Sequence, residues 1–266
     1  MKGSKTEKNG YHLVDGSPWP VVTASGVMGL GTGGVSYMHG YGKGGWLILV
    51  GLLVIGQGMR NWLRDVIREG TLEGQHTTRV QRSLRGGMIL FILSEVMLFF
   101  ALFWGYFWSS ISPVIEIGSV WPPKGIEVME AWKVPFLNTL ILLTSGGSIT
   151  WAHHGMLIGS RREALKGLII TVILAIIFTG LQGYEYKNAG FNIGDGIYGA
   201  TFYLTTGMHG FHVIVGTIMI SVCIIRIINY EMTREHHFGF EGSAWYWHFV
   251  DVVWLGLFIS IYWWGS

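Results

Sequence analysis

Long stretches of this chain carry no Asp, Glu, Lys or Arg, and that feature limits its fold more than any other. Residues 16–42, 44–59, 134–160, 167–184 and 196–225 are free of such charges, 86–115 holds only Glu95, and 242–266 holds only Asp251. About 20 apolar residues cross the hydrocarbon layer of a bilayer as a helix. The short run 44–59 can be lengthened toward Arg68 by arginines whose stems lie along the apolar surface. Each stretch therefore predicts one span, seven in all, in an all-α polytopic membrane protein. Composition excludes the alternatives. Only 13% of the 266 residues are charged and 50% are hydrophobic, whereas a soluble domain has about 25% charged residues. A soluble enzyme would lack polar cover for its core, and a disordered chain would not hold so much apolar sequence. The single cysteine, Cys223, excludes a disulfide framework and a cysteine-cluster metal site. A net charge of +2 with no basic face gives no footprint for nucleic acid.

The basic residues test this count. With seven spans, one side receives Lys2, Lys5, Lys8, the arginines between 60 and 85, Arg161, Arg162, Lys166, Arg226 and Arg234; the other receives Lys43, Lys124, Lys133 and Lys187. So uneven a split is what the positive-inside rule expects, with the N-terminus inside and the C-terminus outside. Trp19, Trp46, Trp62, Trp121, Trp132, Trp263 and Trp264 fall near span ends, where indoles favour the headgroup zone. Trp104, Trp108, Trp245, Trp247 and Trp254 lie deeper and are expected to pack inside. The N-terminal residues form neither a signal peptide nor a usual transit peptide, so the chain is expected to be inserted where it is made or to have lost a presequence. The organisation expected is an inner N-terminal segment (1–18), a two-helix unit (19–69), an inner polar linker (70–85) and a five-helix bundle (86–266).

Ionisable groups at depth are where function is sought, because burying them is costly. Glu95 lies ten residues past Arg85, about 15 Å along a helix. It is expected either to exchange protons or to lock its helix to a neighbour. His212 lies fourteen residues before Arg226, about 21 Å from the same side, so a contact between Glu95 and His212 is geometrically possible. His248 and Asp251 share a helical face at i and i+3 and are expected to form a structural pair. No metal site is expected: in His153-His154 and His236-His237 adjacent side chains diverge by about 100°, and histidine boxes with metal-ligand spacing are missing. Arg68, His76, Arg226 and His236 sit at inner span ends, where they can meet lipid phosphates.

Several long motifs then carry a resemblance. The run from His236-His237-Phe238-Gly239-Phe240-Glu241 through Ala244-Trp245-Tyr246-Trp247-His248-Phe249-Val250-Asp251 to Tyr262-Trp263-Trp264-Gly265 resembles the cytochrome c oxidase subunit III family. So do Arg64-Asp65-Val66-Ile67-Arg68-Glu69, Trp121-Pro122-Pro123-Lys124-Gly125, Thr150-Trp151-Ala152-His153-His154 and Gly207-Met208-His209-Gly210-Phe211-His212. The resemblance covers the chain from about Tyr11 onward. It implies a non-catalytic, seven-span, mitochondrial-type subunit beside the catalytic haem-copper subunit I of a proton-pumping oxidase. Haem and copper would sit on partner subunits, with no cofactor in this chain other than bound phospholipid. A lipid-filled cleft would separate helices one and two from helices three to seven. Such a subunit would stabilise the catalytic subunit and support proton uptake in the mitochondrial inner membrane, its N-terminus in the matrix and its C-terminus in the intermembrane space. Glu95 would be the family's intramembrane glutamate, Trp62, Arg68, Glu69 and His76 a lipid-contacting stretch, and Arg226 a basic anchor. Glu231, where some relatives have histidine, would not attract a phosphate. A stand-alone proton or ion transporter is the rival reading, weakened because Glu95 and Asp251 are the only charges expected at depth and no inverted repeat is visible.

Overall fold

The computed structural model describes residues 10–265; the expected inner position of Lys2, Lys5 and Lys8 lies outside the described residues. Among these residues the chain is helical and strand-free: α1 (Trp19–Met38), α2 (Gly44–Thr71), α3 (Thr78–Ile111), α4 (Val134–Leu157), α5 (Arg161–Asn188), α6 (Gly196–Ile228) and α7 (Phe238–Leu257), the last continuing as a π-helical turn, Phe258–Trp263. Five of them, α2, α3, α5, α6 and α7, are long and apolar enough to cross a membrane by length and composition. The chain divides into two compact units, Met1–Ser83 and Leu84–Ser266.

Helix ends depart from the charge-free runs for one reason. Charged residues leave the apolar layer without leaving the helix, since Arg, Gln and Leu are good helix formers. Thus α3 starts at Thr78, so that Arg79, Arg82 and Arg85 are helical and only residues 72–77 of the expected linker lie outside helices. Likewise α5 starts at Arg161 and ends at Asn188, beyond both limits of its apolar run.

In the first unit α1 and α2 meet through glycine. The buried residues are Gly26 and Gly33 on α1 and Gly44, Gly51 and Gly58 on α2. Seven-residue spacing aligns them along one side of each helix, and the backbones touch: a Cβ on Gly51 would lie 2.6 Å from the Leu30 nitrogen, and one on Gly26 would lie 2.9 Å from the Ile55 nitrogen. Apolar side chains point outward, as expected where lipid offers them as good a solvent as another helix would and association rests on close packing. At the end where the chain enters α1, the Trp19 indole donates to Asp65 Oδ2 at 2.6 Å, and Thr77 Oγ1 donates to the Gly10 carbonyl at 2.6 Å.

The second unit has a built core. Trp247 and Trp254 of α7 are fully buried, and each indole N–H donates to a hydroxyl of α4: Trp247 to Ser145 Oγ and Trp254 to Thr139 Oγ1, both at 2.9 Å. Small residues seat α4 on α5, with Gly155 against Ala164 and Gly167 against Ala152, and Ser148 bonds Thr171 at 2.7 Å. Gly216 of α6 leaves room for the Trp247 ring. Trp104 and Trp108 correct an expectation: they are 60% and 71% exposed rather than packed inside. They occupy the face of α3 turned away from the rest of the unit, and in a membrane such a face is also apolar.

Gly51→Leu is expected to lower the melting temperature of the purified chain in mild detergent, whereas Gly56→Leu on the same helix, where nothing faces the added Cβ, should change it little. Equal shifts would contradict the glycine contact.

Candidate functional site

The polar centre of the second unit is built from α3, α6 and α7. On α3, Glu95, Phe99 and Tyr106 recur at helical spacing on one face, and Phe99 and Tyr106 are buried. On α6, His209, His212, Val213, Gly216 and Ile220 form the buried face. These two faces bring Glu95 Oε2 to 2.8 Å from His212 Nε2. The contact that depth counting allowed is present.

Hydrogen-bond accounting sets the chemistry of the pair. His212 Nδ1 lies 2.7 Å from the Met208 carbonyl oxygen. A carbonyl only accepts, so Nδ1 carries a hydrogen. The bond between Nε2 and Oε2 then needs one proton, held either by the carboxyl or by the ring. In both forms the pair carries no net charge, and neither group is left as an unpaired buried ion. Aromatic rings enclose the imidazole: Phe99 meets it edge-on at 5.0 Å, Tyr246 stacks at 6.1 Å and Phe249 lies at 6.1 Å. The His212 side chain is 4% exposed and that of Glu95 21%. The carboxyl is thus the member of the pair that reaches the surface of the chain.

One turn away on α6, His209 is sealed. Its Nε2 donates to the Val250 carbonyl at 3.2 Å, and its ring lies against Phe178 and Trp254. His248 and Asp251 are paired as their spacing indicates, with Nδ1 3.6 Å from Oδ2. His248 Nε2 also meets Thr150 Oγ1 at 3.2 Å, and Asp251 lies directly over Gly146 of α4. The pair therefore ties α7 to α4 and does not join the Glu95–His212 contact. Among the described residues no three His, Cys, Asp or Glu side chains gather to hold a metal ion. His153 and His237, one from each adjacent pair, do face each other, with ring centroids 5.7 Å apart.

Three placements of charged residues had no sequence signal beyond the charge itself. Arg161 donates to the carbonyls of Ile227 and Ile228 at 2.8 and 2.5 Å, capping the end of α6, and its guanidinium lies 3.5 Å over the Tyr230 ring. Arg85 pairs with Glu241 at 2.9 Å in the first turn of α7, where an acidic side chain suits the helix dipole. Glu185, one residue beyond its charge-free run, is buried among α4, α5 and the π-helical turn. Counting charges by side explains none of these, because each depends on how distant segments pack together.

Residues 9–266 match the family model described as cytochrome c oxidase subunit III. The chain belongs to the cytochrome c oxidase subunit III family. Among its relatives, proteins named cytochrome c oxidase subunit 3 from Prototheca wickerhamii, Marchantia polymorpha and Arabidopsis thaliana are 59%, 58% and 57% identical to it. These alignments cover 97%, 99% and 98% of this chain and 99% of each relative.

Within this cytochrome c oxidase subunit III, the residues expected to meet lipid are distributed over both units. In the first, the Arg68 side chain is 68% exposed and lies 3.6 Å from Glu73, Glu69 lies 3.8 Å from His12, His76 packs against Gly70, and the Trp62 ring is 38% exposed. In the second, Arg226 is turned inward and lies 3.4 Å from Glu231. The Arg226 guanidinium is thus paired with a carboxylate of its own chain. The backbone N–H of His236 is held by Thr233 Oγ1 at 3.1 Å.

Two pairs of substitutions check this geometry. Gly146→Ala would drive a methyl into the Asp251 carboxylate and is expected to destabilise the chain by about 1–3 kcal/mol; Gly147→Ala, which meets nothing, should be neutral by thermal melting. Glu95→Ala leaves His212 Nε2 without a partner and should cost about 1–3 kcal/mol, while Glu95→Gln, whose amide can donate to that nitrogen, should retain most of the stability.

Proposed function

We infer that this chain works as a subunit of cytochrome c oxidase, a respiratory enzyme complex of the mitochondrial inner membrane, and not as a stand-alone transporter. The observation that carries the assignment is the match to subunit 3 relatives over nearly their whole length. In this reading all seven helices span the membrane, α1 and α4 included. Their glycines, threonines and histidines lower the mean hydropathy, but both contact other helices through small residues, as membrane helices do. The uneven lysine and arginine distribution supports an N-terminus in the matrix and a C-terminus in the intermembrane space.

The chain supplies no redox centre in this proposal, and haem and copper belong to partner subunits, the catalytic subunit I among them. The donor set supports that view. Both ring nitrogens of His212 are engaged, by Met208 and Glu95, and both nitrogens of His248 by Thr150 and Asp251, while His209 Nε2 is bonded to the Val250 carbonyl within an aromatic sheath. An axial haem ligand needs a free imidazole nitrogen directed at open space.

The chain's own contribution is structural and protonic. Its apolar faces support the catalytic subunit. Arg68, with Trp62, Glu69 and His76 close by in sequence, holds a phospholipid headgroup at the end of α2, and His236 holds one at the entry to α7. Arg226 takes part only when Glu231 releases it. The Glu95–His212 pair keeps one proton available at mid-membrane depth and, through the exposed carboxyl, supports proton uptake by the complex. A single proton moving between two groups 2.8 Å apart changes no net charge, so the pair can serve without reorganising the helices.

Purification in mild detergent should bring down a larger chain with the haem spectrum of the oxidase; isolation without it would contradict the assignment. Glu95→Gln, which keeps a donor toward His212 but has no proton to exchange, should assemble normally and reduce the proton-coupled turnover of the complex. Loss of assembly with Glu95→Gln would instead make the pair a packing device.

A further inference from the structure

Glu185 is buried in the last turn of α5, 7% exposed, and neither of its carboxyl oxygens has a hydrogen-bond partner in the chain. Asn138 of α4 is 0% exposed, and its Oδ1 is also without a partner. The two residues belong to one polar cluster. Asn138 Nδ2 donates to Gln182 Oε1 at 3.4 Å, and Gln182 Nε2 donates to the Tyr262 hydroxyl at 3.1 Å. Glu185 follows Gln182 by three residues on the same face of α5. Tyr262 accepts from Gln182, so its own O–H hydrogen is free to turn toward the Glu185 carboxyl, but the two are not joined by a formed hydrogen bond.

Other donors nearby are committed elsewhere. The Tyr186 hydroxyl donates to Thr206 Oγ1 at 2.7 Å and the Tyr203 hydroxyl to the Phe191 carbonyl at 2.8 Å. The closing turn of a helix presents carbonyls, not N–H groups. Glu185 Oε1, Glu185 Oε2 and Asn138 Oδ1 are thus three buried acceptors with no protein donor bonded to them, more than the one uncommitted hydroxyl of Tyr262 could serve, and buried acceptors are not left unmet without cost. Glu185 lies 24 residues past Arg161, about 36 Å along α5. That exceeds a hydrocarbon layer of about 30 Å and puts the cluster at headgroup level, within reach of water.

We propose that this end of the second unit encloses a hydration site, in which ordered water donates to Glu185 Oε1 and Oε2 and to Asn138 Oδ1 and joins α4, α5 and the π-helical turn. Buried water normally makes about three such bonds to otherwise unmet polar groups. A hard cation would also seek oxygen ligands, but it takes six or more, and one carboxylate with one amide oxygen and one phenol falls short. The site is distinct from the Glu95–His212 pair and does not depend on its role.

X-ray radiolytic footprinting of the intact oxidase, read by mass spectrometry, tests this directly, because radiolysis of bound water labels the side chains touching it even when bulk solvent cannot. Tyr262 is 1% exposed and Tyr106 0%, yet Tyr262 is expected to label at least several-fold faster than Tyr106. Glu185→Leu should remove most of that excess and Glu185→Gln should keep it. Equal labelling of the two tyrosines in the unaltered oxidase would overturn the proposal, and that comparison stands even if Glu185→Leu fails to assemble. Excess labelling unaffected by Glu185→Leu would overturn it too. So would labelling that appears only after the oxidase is stripped of cations, which would make the occupant a bound ion.

Discussion

A polar atom inside a bilayer cannot turn to water, and the rest of the structure depends on how that demand is met. Helical backbones meet it for themselves. Side chains meet it in two ways. Thr139, Thr144, Thr171, Thr206, Thr217 and Ser221 each bond the carbonyl four residues earlier on their own helix. Larger polar groups reach across to another helix, and those reaches join the second unit. Thr139 does both, bonding its own helix and accepting from Trp254. Such crossed bonds fix register more firmly than apolar packing can, because an indole N–H displaced by one turn meets hydrocarbon.

The same demand shapes the Glu95–His212 contact. Alone, a carboxyl or an imidazole buried there would be expensive; together, with Met208 holding the Nδ1 hydrogen, they share one hydrogen bond and carry no net charge. The aromatic rings around His212 keep the imidazole dry and oriented, while the partial exposure of Glu95 leaves one side of the pair open to whatever covers the chain in the complex. His248–Asp251 shows the contrast. It uses similar groups at i and i+3, but a hydroxyl of α4 and the glycine beneath it turn that pair into a clamp between helices.

Much of this was legible before any coordinates. Charge-free runs located all seven helices, since a bilayer tolerates few charges and the backbone inside it has little choice but a helix. The motifs around Trp247–Asp251 and His209–His212 carried the family, and counting residues from Arg85 and Arg226 placed Glu95 and His212 in neighbouring layers. Other features were illegible for equally physical reasons. Trp104 and Trp108 could not be told from core tryptophans, because inward and outward faces are equally apolar in a membrane and periodicity loses its contrast. The start of α3 at Thr78 was hidden because arginines mark the edge of the lipid, not the end of a helix. The inward turn of Arg226 toward Glu231 reads from sequence as two surface charges.

What the amino-acid order determined by itself was where the chain is apolar, how many helices it forms, and which few ionisable groups fall within the apolar runs. These are one-dimensional properties, set by run length and charge. Tertiary structure decided partnership. It gave Glu95 to His212, Asp251 to His248, Arg161 to the end of α6 and the tryptophans of α7 to the hydroxyls of α4, and it left Glu185 and Asn138 with oxygens that no side chain satisfies. Partners in a hydrogen bond must meet within about 3 Å and at the right angle, and which faces of which helices do so is settled only when the helices pack.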